Sequence, residues 1–271
     1  MCNWGFNAIF VPSKTQKITV LPEKFQNILA SYPSFSLEKV EEVKLMNRID
    51  TKYIIPVDDA VRMLRDLRND YHVLEIESQR TGIYTSVYYD TDDKRMFYTH
   101  VTGRFPRYKV RERHYSQNGL VFFEIKQKSN AGRTSKRRIS VSADSNEASE
   151  WIPKQSPFNF DELTPALINR FERITLVNNE KTERVTVDFD LSFRLPSGDF
   201  TPTYDRIVIV ELKQDKTAAS KVRNYLRSKG FRPKSISKFC MGMLLTGSET
   251  TYKRYKPQYT RFIKTQYGQH D

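Results

Sequence analysis

The chain predicts an α+β fold built on one large antiparallel sheet or barrel. Three observations carry this. Short runs rich in β-branched and aromatic residues, separated by turn signals, follow one another from about residue 71 to residue 213. A few stretches with helical spacing flank and interrupt them. In five of the runs charged and apolar residues alternate, the period of a strand with two unlike faces. No linker is evident between about residues 48 and 245. The reading is therefore one domain over 45–248, a leader over 1–44 and a basic-aromatic tail over 249–271.

Each element has its own reason. Residues 1–35 read as a leader with one short helix over 22–30, because Pro22 suits a first helical turn. Leu37, Val40, Val43 and Leu45 give a weak amphipathic pattern and a second helix. Residues 52–55 read as a strand ended by Pro56. Ala60, Val61, Leu64 and Leu67 sit at helical spacing in 58–67. Residues 71–76 and 83–89 are strands, and 92–101 is a short, less regular helix closed by Gly103. Further strands are expected over 107–115, 120–128, 134–141, 174–177, 184–193 and 207–213. Asn118-Gly119 is the strongest hairpin signal among them. Residues 161–170 and 217–229 read as helical, the latter ended by Gly230, and 237–245 as the last helix. The tail over 252–267 is expected to be mobile.

At 271 residues the chain can bury a sizeable core without staples. It is 28% charged, but its 13% aromatic content argues against disorder. The net charge is +13, which favours an anionic partner: nucleic acid, anionic lipid, nucleotide or polyphosphate. Residues 101–140 hold eleven basic residues against Glu112 and Glu124, so this segment must be explained first. Cys2 and Cys240 supply neither a disulfide framework nor a thiolate metal site, and a reducing compartment is the simplest reading. The N-terminus has no signal-peptide pattern, and no stretch approaches the roughly 20 apolar residues of a membrane span. The expectation is a soluble, cytoplasmic protein.

Alternation places the charges. Lys109, Arg111 and Arg113 share one strand face; Glu124, Lys126 and Lys128 share another. Lys136 pairs with Arg138 in this sense, Glu211 with Lys213, and Arg184 with Asp188. An ordinary half-solvated sheet also alternates. Here, however, the polar faces are mostly Arg and Lys. Like charges on adjacent strands repel by ~0.2–1 kcal/mol per pair. A face carrying this many cations needs a polyanion, and in a barrel these faces would line the lumen. Arg grips phosphate bidentately, Lys acts as a mobile point charge, and Mg²⁺ or Mn²⁺ would prefer oxygen ligands such as Glu211. There is no P-loop and no zinc spacing. His72, His100 and His114 lack partners in any recognisable arrangement and carry no mechanism.

Eight segments, in order over roughly residues 45–245, resemble the VTC domain, the polyphosphate polymerase domain of the vacuolar transporter chaperone family. They are Asn47 to Tyr53, Tyr88-Tyr89-Asp90-Thr91, Arg107 to Arg113, Phe123 to Lys126, Arg133 to Arg138, Glu183 to Asp188, Val210 to Lys213, and Ser237 to Cys240. The resemblance implies a triphosphate tunnel metalloenzyme (CYTH-like) fold, an antiparallel β-barrel tunnel with peripheral helices. It implies transfer of the ATP γ-phosphate onto a polyphosphate chain, with Mn²⁺ or Mg²⁺. By residue match, Lys52, Arg111, Arg113, Lys126 and Lys238 would do catalytic work. Lys109, Lys136, Arg138, Arg184, Lys213 and Ser237 would bind substrate, with Arg170 of Asn169-Arg170-Phe171 a looser match. Glu211 would bind the metal, and Glu124 is a second metal candidate. The partners implied are ATP and inorganic polyphosphate, with no specific nucleic acid; a membrane-protein partner stays open.

The chain also departs from the family it resembles. The eukaryotic members carry an SPX domain and membrane helices, and neither reads in this sequence. The related triphosphatases carry E-x-E-x-K on the first strand, whereas Arg48 to Lys52 holds one acid, Asp50. That argues against simple hydrolysis. A tunnel triphosphatase and a non-catalytic polyanion-binding module for polyphosphate or RNA remain the alternatives.

Overall fold

The computed structural model describes residues 23–37, 48–131, 133–141, 147–215, 219–248 and 254–268. The second expected helix, over 37–45, falls almost wholly outside these, as does most of the leader. The elements are α1 (Glu23–Ala30), β1 (Ser34–Phe35), β2 (Arg48–Pro56), α2 (Val57–Asp66), β3 (Tyr71–Leu74), β4 (Gly82–Asp90), α3 (Arg95–Val101), β5 (Arg107–Tyr115), β6 (Val121–Lys128) and β7 (Thr134–Ser140). There follow α4 (Glu147–Gln155), β8 (Thr164–Asn178), β9 (Glu183–Arg194), β10 (Ile207–Asp215), α5 (Lys221–Ser228), α6 (Lys238–Leu245) and α7 (Lys256–Tyr267).

Eight strands form one curled antiparallel half-barrel in the order β2-β10-β9-β8-β4-β5-β6-β7. β3 pairs with the far end of β8, and β1 adds to β3 in parallel. Among the described residues β2 and β7, the two end strands, do not pair with each other. The backbone ahead of α6 covers part of the β2 edge, where Lys234 N–H donates to the Lys52 carbonyl at 2.7 Å. The Asn118-Gly119 turn joins β5 to β6, with Gly119 at a φ of +67°. No helix of the described residues is long and apolar enough to cross a membrane.

The convex face of the sheet is the apolar one. Tyr53, Ile55, Val187, Val208 and Val210 meet α1, α2 and α5 through Phe25, Leu29, Met63, Leu64 and Leu226. In α2, Ala60, Met63 and Leu64 make the buried stripe, while Asp58 and Asp59 favour the N-terminal dipole. Burying each of the two large side chains contributes roughly 1.5–3 kcal/mol. At the other end of the sheet Val110, Phe123 and Ile125 are buried in a second cluster that includes Ala148 and Ile152 of α4.

Two expectations are corrected, and one helix is new. Residues 164–170 are not helical but open β8, a fifteen-residue strand that also absorbs the short strand expected over 174–177. Pro165 is unsuited to a helix interior, and β8 lies between β4 and β9, so its apolar run is that of a central strand buried on both faces. The tail is ordered as α7. Phe262 is fully buried, and Gln266 accepts from Arg206 N–H and donates to Asp205, both at 3.1 Å. Helix α4 was not anticipated, because Pro153 lies inside it.

Candidate functional site

The concave face carries the charge. Strands β5, β6 and β7 form one wall. Cross-strand register sets Lys109 opposite Lys126, Lys126 opposite Lys136, Arg111 opposite Glu124, and Glu124 opposite Arg138. Glu124, 1% exposed, accepts from Arg111 Nε at 2.7 Å and Nη2 at 2.5 Å, and also pairs with Lys136. Arg113 is buried and donates to Ser86 Oγ at 3.1 Å. Burial pushes the Lys109 and Lys136 ammoniums down, each to about 8, and like-charged neighbours reinforce it. Burial opposes the Glu124 carboxylate, but Arg111, Arg113 and Lys136 hold it far below the usual range.

Strands β2, β10, β9 and β8 form the facing wall. Glu211 lies opposite Lys52 and Thr186 and pairs with Lys52, with Lys213 Nζ at 3.8 Å. Burial would raise Glu211, but Lys213 and Lys52 overrule it and hold the carboxyl well below its ordinary value. Glu211 in turn supports the charge on Lys213, yet burial and the charges of Arg173 and Arg184 bring that ammonium down to about 7. Arg184 stands opposite Lys213, and Lys213 opposite Asp50. Asp188 takes a two-pronged bond from Arg173, Nε to Oδ1 at 2.5 Å and Nη2 to Oδ2 at 2.8 Å, and pairs with Lys238. Burial works against Asp188, but these two cations bring it down to about 2.

Helix α6 lies across the concave face and joins the walls. Ser237 caps it, its Oγ accepting from Cys240 N–H at 3.3 Å and from Lys109 Nζ of the first wall at 2.9 Å. Lys238 reaches Asp188 of the second wall and lies 4.2 Å from the centre of the Phe171 ring. Phe239 stacks on Tyr88 of β4 at 5.1 Å. Gly242 permits this close approach: a Cβ there would lie 2.4 Å from Leu167 and 2.5 Å from Phe193. The walls also feel each other directly. Lys126 of β6 is depressed first by burial and then by the charge of Lys52 on β2, while Glu211 and Asp50 act in the opposite sense. Its side chain nonetheless remains open to solvent.

Lys52, Lys109, Arg111, Arg113, Lys126, Lys136, Arg138, Arg184, Lys213, Lys238, Ser237, Glu211 and Glu124 thus all share the concave face. Arg170 does not. It stands opposite Thr85 and Ser192, and Thr85 is one residue out of step with Tyr84, Ser86 and Tyr88 of the tunnel face. Phe171 and Arg173 hold the inward positions of β8. Sequence reasoning missed Arg173 because it fell in the gap between the helix expected over 161–170 and the strand expected over 174–177, so no strand face was assigned to it. It placed Asp188 on the face of Arg184 but gave it no role. It also left out Tyr88, whose phenol burial would raise but Arg111 and three further cations lower. A cation at a helix start is disfavoured by the dipole, and Asp188 offsets that cost for Lys238.

The donor set for a divalent cation is sparse. Glu124, the second metal candidate, is the counter-ion of Arg111 at Oε2 and of Lys136 at Oε1. Among the described residues no three His, Cys, Asp or Glu side chains gather as metal ligands. Glu211, on the tunnel face and with its carboxyl held well below its ordinary value, fits a hard cation that draws its other ligands from phosphate oxygens. Two histidines have other partners: His100 bonds the Tyr108 carbonyl at 3.0 Å, and burial, reinforced by the charge of Lys109, pushes it down to about 2, while His114 pairs with Glu112.

With this geometry in hand, the comparisons are specific at one level. The VTC domain profile matches residues 47–246. No curated protein matches the chain. Among solved structures, a candidate adenylate cyclase from Bacillus halodurans is 13% identical, with 71% of this chain and 94% of that one covered and a TM-score of 0.48. A candidate adenylyl cyclase from Hippeastrum, described as having a dominant triphosphatase activity, is 16% identical, with 77% and 99% covered and a TM-score of 0.46.

Proposed function

The chain belongs to the VTC domain family, and on that premise we propose that it is a polyphosphate-synthesising phosphotransferase using ATP. The observation that supports the reading is the first wall. Lys109, Arg111, Arg113, Lys126, Lys136 and Arg138 face one space with Glu124 as their one carboxylate on these strands. Such a surface is completed by a polyanion and repels itself without one.

The chemistry needs little else. The terminal oxygen of the polyphosphate chain attacks the γ-phosphorus of ATP, the bond to the β-phosphate oxygen breaks, and ADP leaves. The attacking oxygen is already largely ionised near neutral pH, so no general base is required. A loose phosphoryl-transfer transition state is favoured by in-line positioning and dispersed positive charge. Lys52, Arg111, Arg113, Lys126 and Lys238 surround the transferring group. Lys109, Lys136, Arg138, Arg184, Lys213 and Ser237 hold the flanking phosphates, and Arg173 takes the role first assigned to Arg170. Glu211 would hold Mn²⁺ or Mg²⁺ together with phosphate oxygens, where the ion neutralises charge on the departing ADP. Lys109, Lys136 and Lys213, all depressed in the free tunnel, gain protons as phosphate binds.

Incubation of the purified protein with ATP and Mn²⁺, with ADP, free phosphate and stained polymer measured separately, tests this. Polymer formed in step with ADP is the expected result. Free phosphate without polymer makes the protein a triphosphatase, and tight binding of tripolyphosphate without turnover makes it a polyanion binder.

A further inference from the structure

The cation rows of the tunnel account for the phosphates of the donor and leave its base without a place. Phe105 is one of a few large apolar side chains left open to solvent among the described residues, with 41% of its surface exposed. It sits in the loop between α3 and β5, and that loop is anchored. Arg104 N–H donates to the Thr99 carbonyl at 3.0 Å, and Arg254 Nη1 donates to the Thr102 carbonyl at 2.9 Å.

Two cations flank the ring. Arg107 Cζ lies 4.4 Å from its centre and Lys128 Nζ 5.8 Å. Arg107 and Lys128 oppose each other on β5 and β6, one pleat repeat out from the Lys109–Lys126 pair and on the same face. They therefore continue the tunnel's cation row to its mouth, roughly 7 Å beyond Lys109. Arg107 Nε is buried and has no hydrogen-bond partner. Cations alone suit a phosphate chain. An exposed ring stacked with a guanidinium suits a flat aromatic ligand as well, because bases stack on aromatic faces and on Arg planes.

The opposite end of the same strands lacks this feature. There Arg138 lies 4.6 Å over Phe122, but Phe122 is packed edge-on against Tyr115 at 5.7 Å and is half-buried. From this asymmetry we propose that Phe105, with Arg107, forms a stacking platform for the base of the nucleoside triphosphate donor at the Arg107–Lys128 mouth of the tunnel. The proposal rests on the tunnel reading above. It adds the direction of the donor: base at this mouth, γ-phosphate inward towards Arg111 and Lys238.

Calorimetric titration with a non-hydrolysable ATP analogue and with inorganic tripolyphosphate separates the two ideas, on wild type, Phe105→Ala and Phe105→Trp. Loss of base stacking should weaken the nucleotide roughly 5- to 150-fold in Phe105→Ala. Tripolyphosphate affinity should stay within about twofold, because it has no base to stack. Phe105→Trp should bind the nucleotide at least as tightly as wild type. Equal weakening of both ligands, or weakening of neither, overturns the platform and leaves the tunnel standing. If tripolyphosphate fails to bind wild type, the tunnel reading falls and the platform with it.

Discussion

The two walls of the tunnel meet the same burden of positive charge in different ways. The wall of β2, β8, β9 and β10 interleaves it: Glu211 answers Lys52 and Lys213, and Asp188 answers Arg173 and Lys238. The wall of β5, β6 and β7 has Glu124 alone, shared by Arg111 and Lys136, while Lys109 faces Lys126 with no acid between. The wall of β2, β8, β9 and β10 is therefore the closer to electrical balance without ligand. The wall of β5, β6 and β7 is balanced only with one. A protein keeps such a surface at the expense of its own stability, which marks it as built for binding.

The largest effect should come from breaking the compensated wall. Asp188→Asn leaves Arg173 and Lys238 buried side by side, and breaking a buried pair of this kind costs roughly 3–5 kcal/mol. Denaturant unfolding should show that loss in the free protein, with partial recovery in tripolyphosphate. Unchanged stability would mean the pairing is not what balances this wall.

The uncompensated wall should respond the other way. Arg113→Leu removes a buried cation whose hydrogen-bond acceptor is a serine hydroxyl. Thermal stability of the free protein should hold or rise. Tripolyphosphate affinity should fall about 10- to 150-fold, the equivalent of one charge-assisted contact of roughly 1.5–3 kcal/mol. A matching fall in stability would contradict the comparison.

pH sharpens it further. Lys213 titrates at about 7, Lys109 and Lys136 at about 8 in the folded protein, against roughly 10.4 in the unfolded chain. Between those values the unfolded chain holds more protons, so stability of the free protein should rise as pH climbs from about 7 towards 10. Tripolyphosphate affinity should fall over the first part of that window, and binding should take up protons. Calorimetry near pH 8 in buffers of different ionisation enthalpy measures that uptake; release of protons instead would reverse the assignment.

Smaller effects mark the edges of the site. Ser237→Ala removes the cap of α6 and the acceptor for Lys109, at about 1 kcal/mol by thermal unfolding. Arg170→Ala should leave tripolyphosphate affinity within about twofold, while Arg173→Ala should reduce it at least tenfold. The reverse order would place the tunnel face of β8 one residue out of register.

Much of the first wall was legible in the sequence because the inside–outside alternation of a strand is local. Lys109, Arg111 and Arg113 each stand two residues apart, and no distant contact is needed to put them on one face. The cap at Ser237 is legible for the same reason, since its partner is the N–H three residues on. β8 was not legible, because a central strand covered on both faces has no alternation to read, and Ala166, Leu167 and Ile168 pass for a helix until β4 and β9 are in place. Nor could the tail declare itself, since α7 is held by Phe262 in a core made by other segments.

By itself, then, the sequence determined which residues can be cations on a strand, which face they share, and that such a face calls for a polyanion. Tertiary structure alone decided which of them are matched by an acid. Asp188 meets Lys238 across fifty residues, and Lys52 meets Glu211 across 159. It also decided their charge. The shift of Lys213 to about 7 comes from the contest between Glu211 beside it and its burial near Arg173 and Arg184, groups gathered only when β8, β9 and β10 pair. The physical reason is range: alternation follows from the backbone of one strand, whereas desolvation and Coulomb interactions depend on everything within several ångströms, whatever its place in the chain.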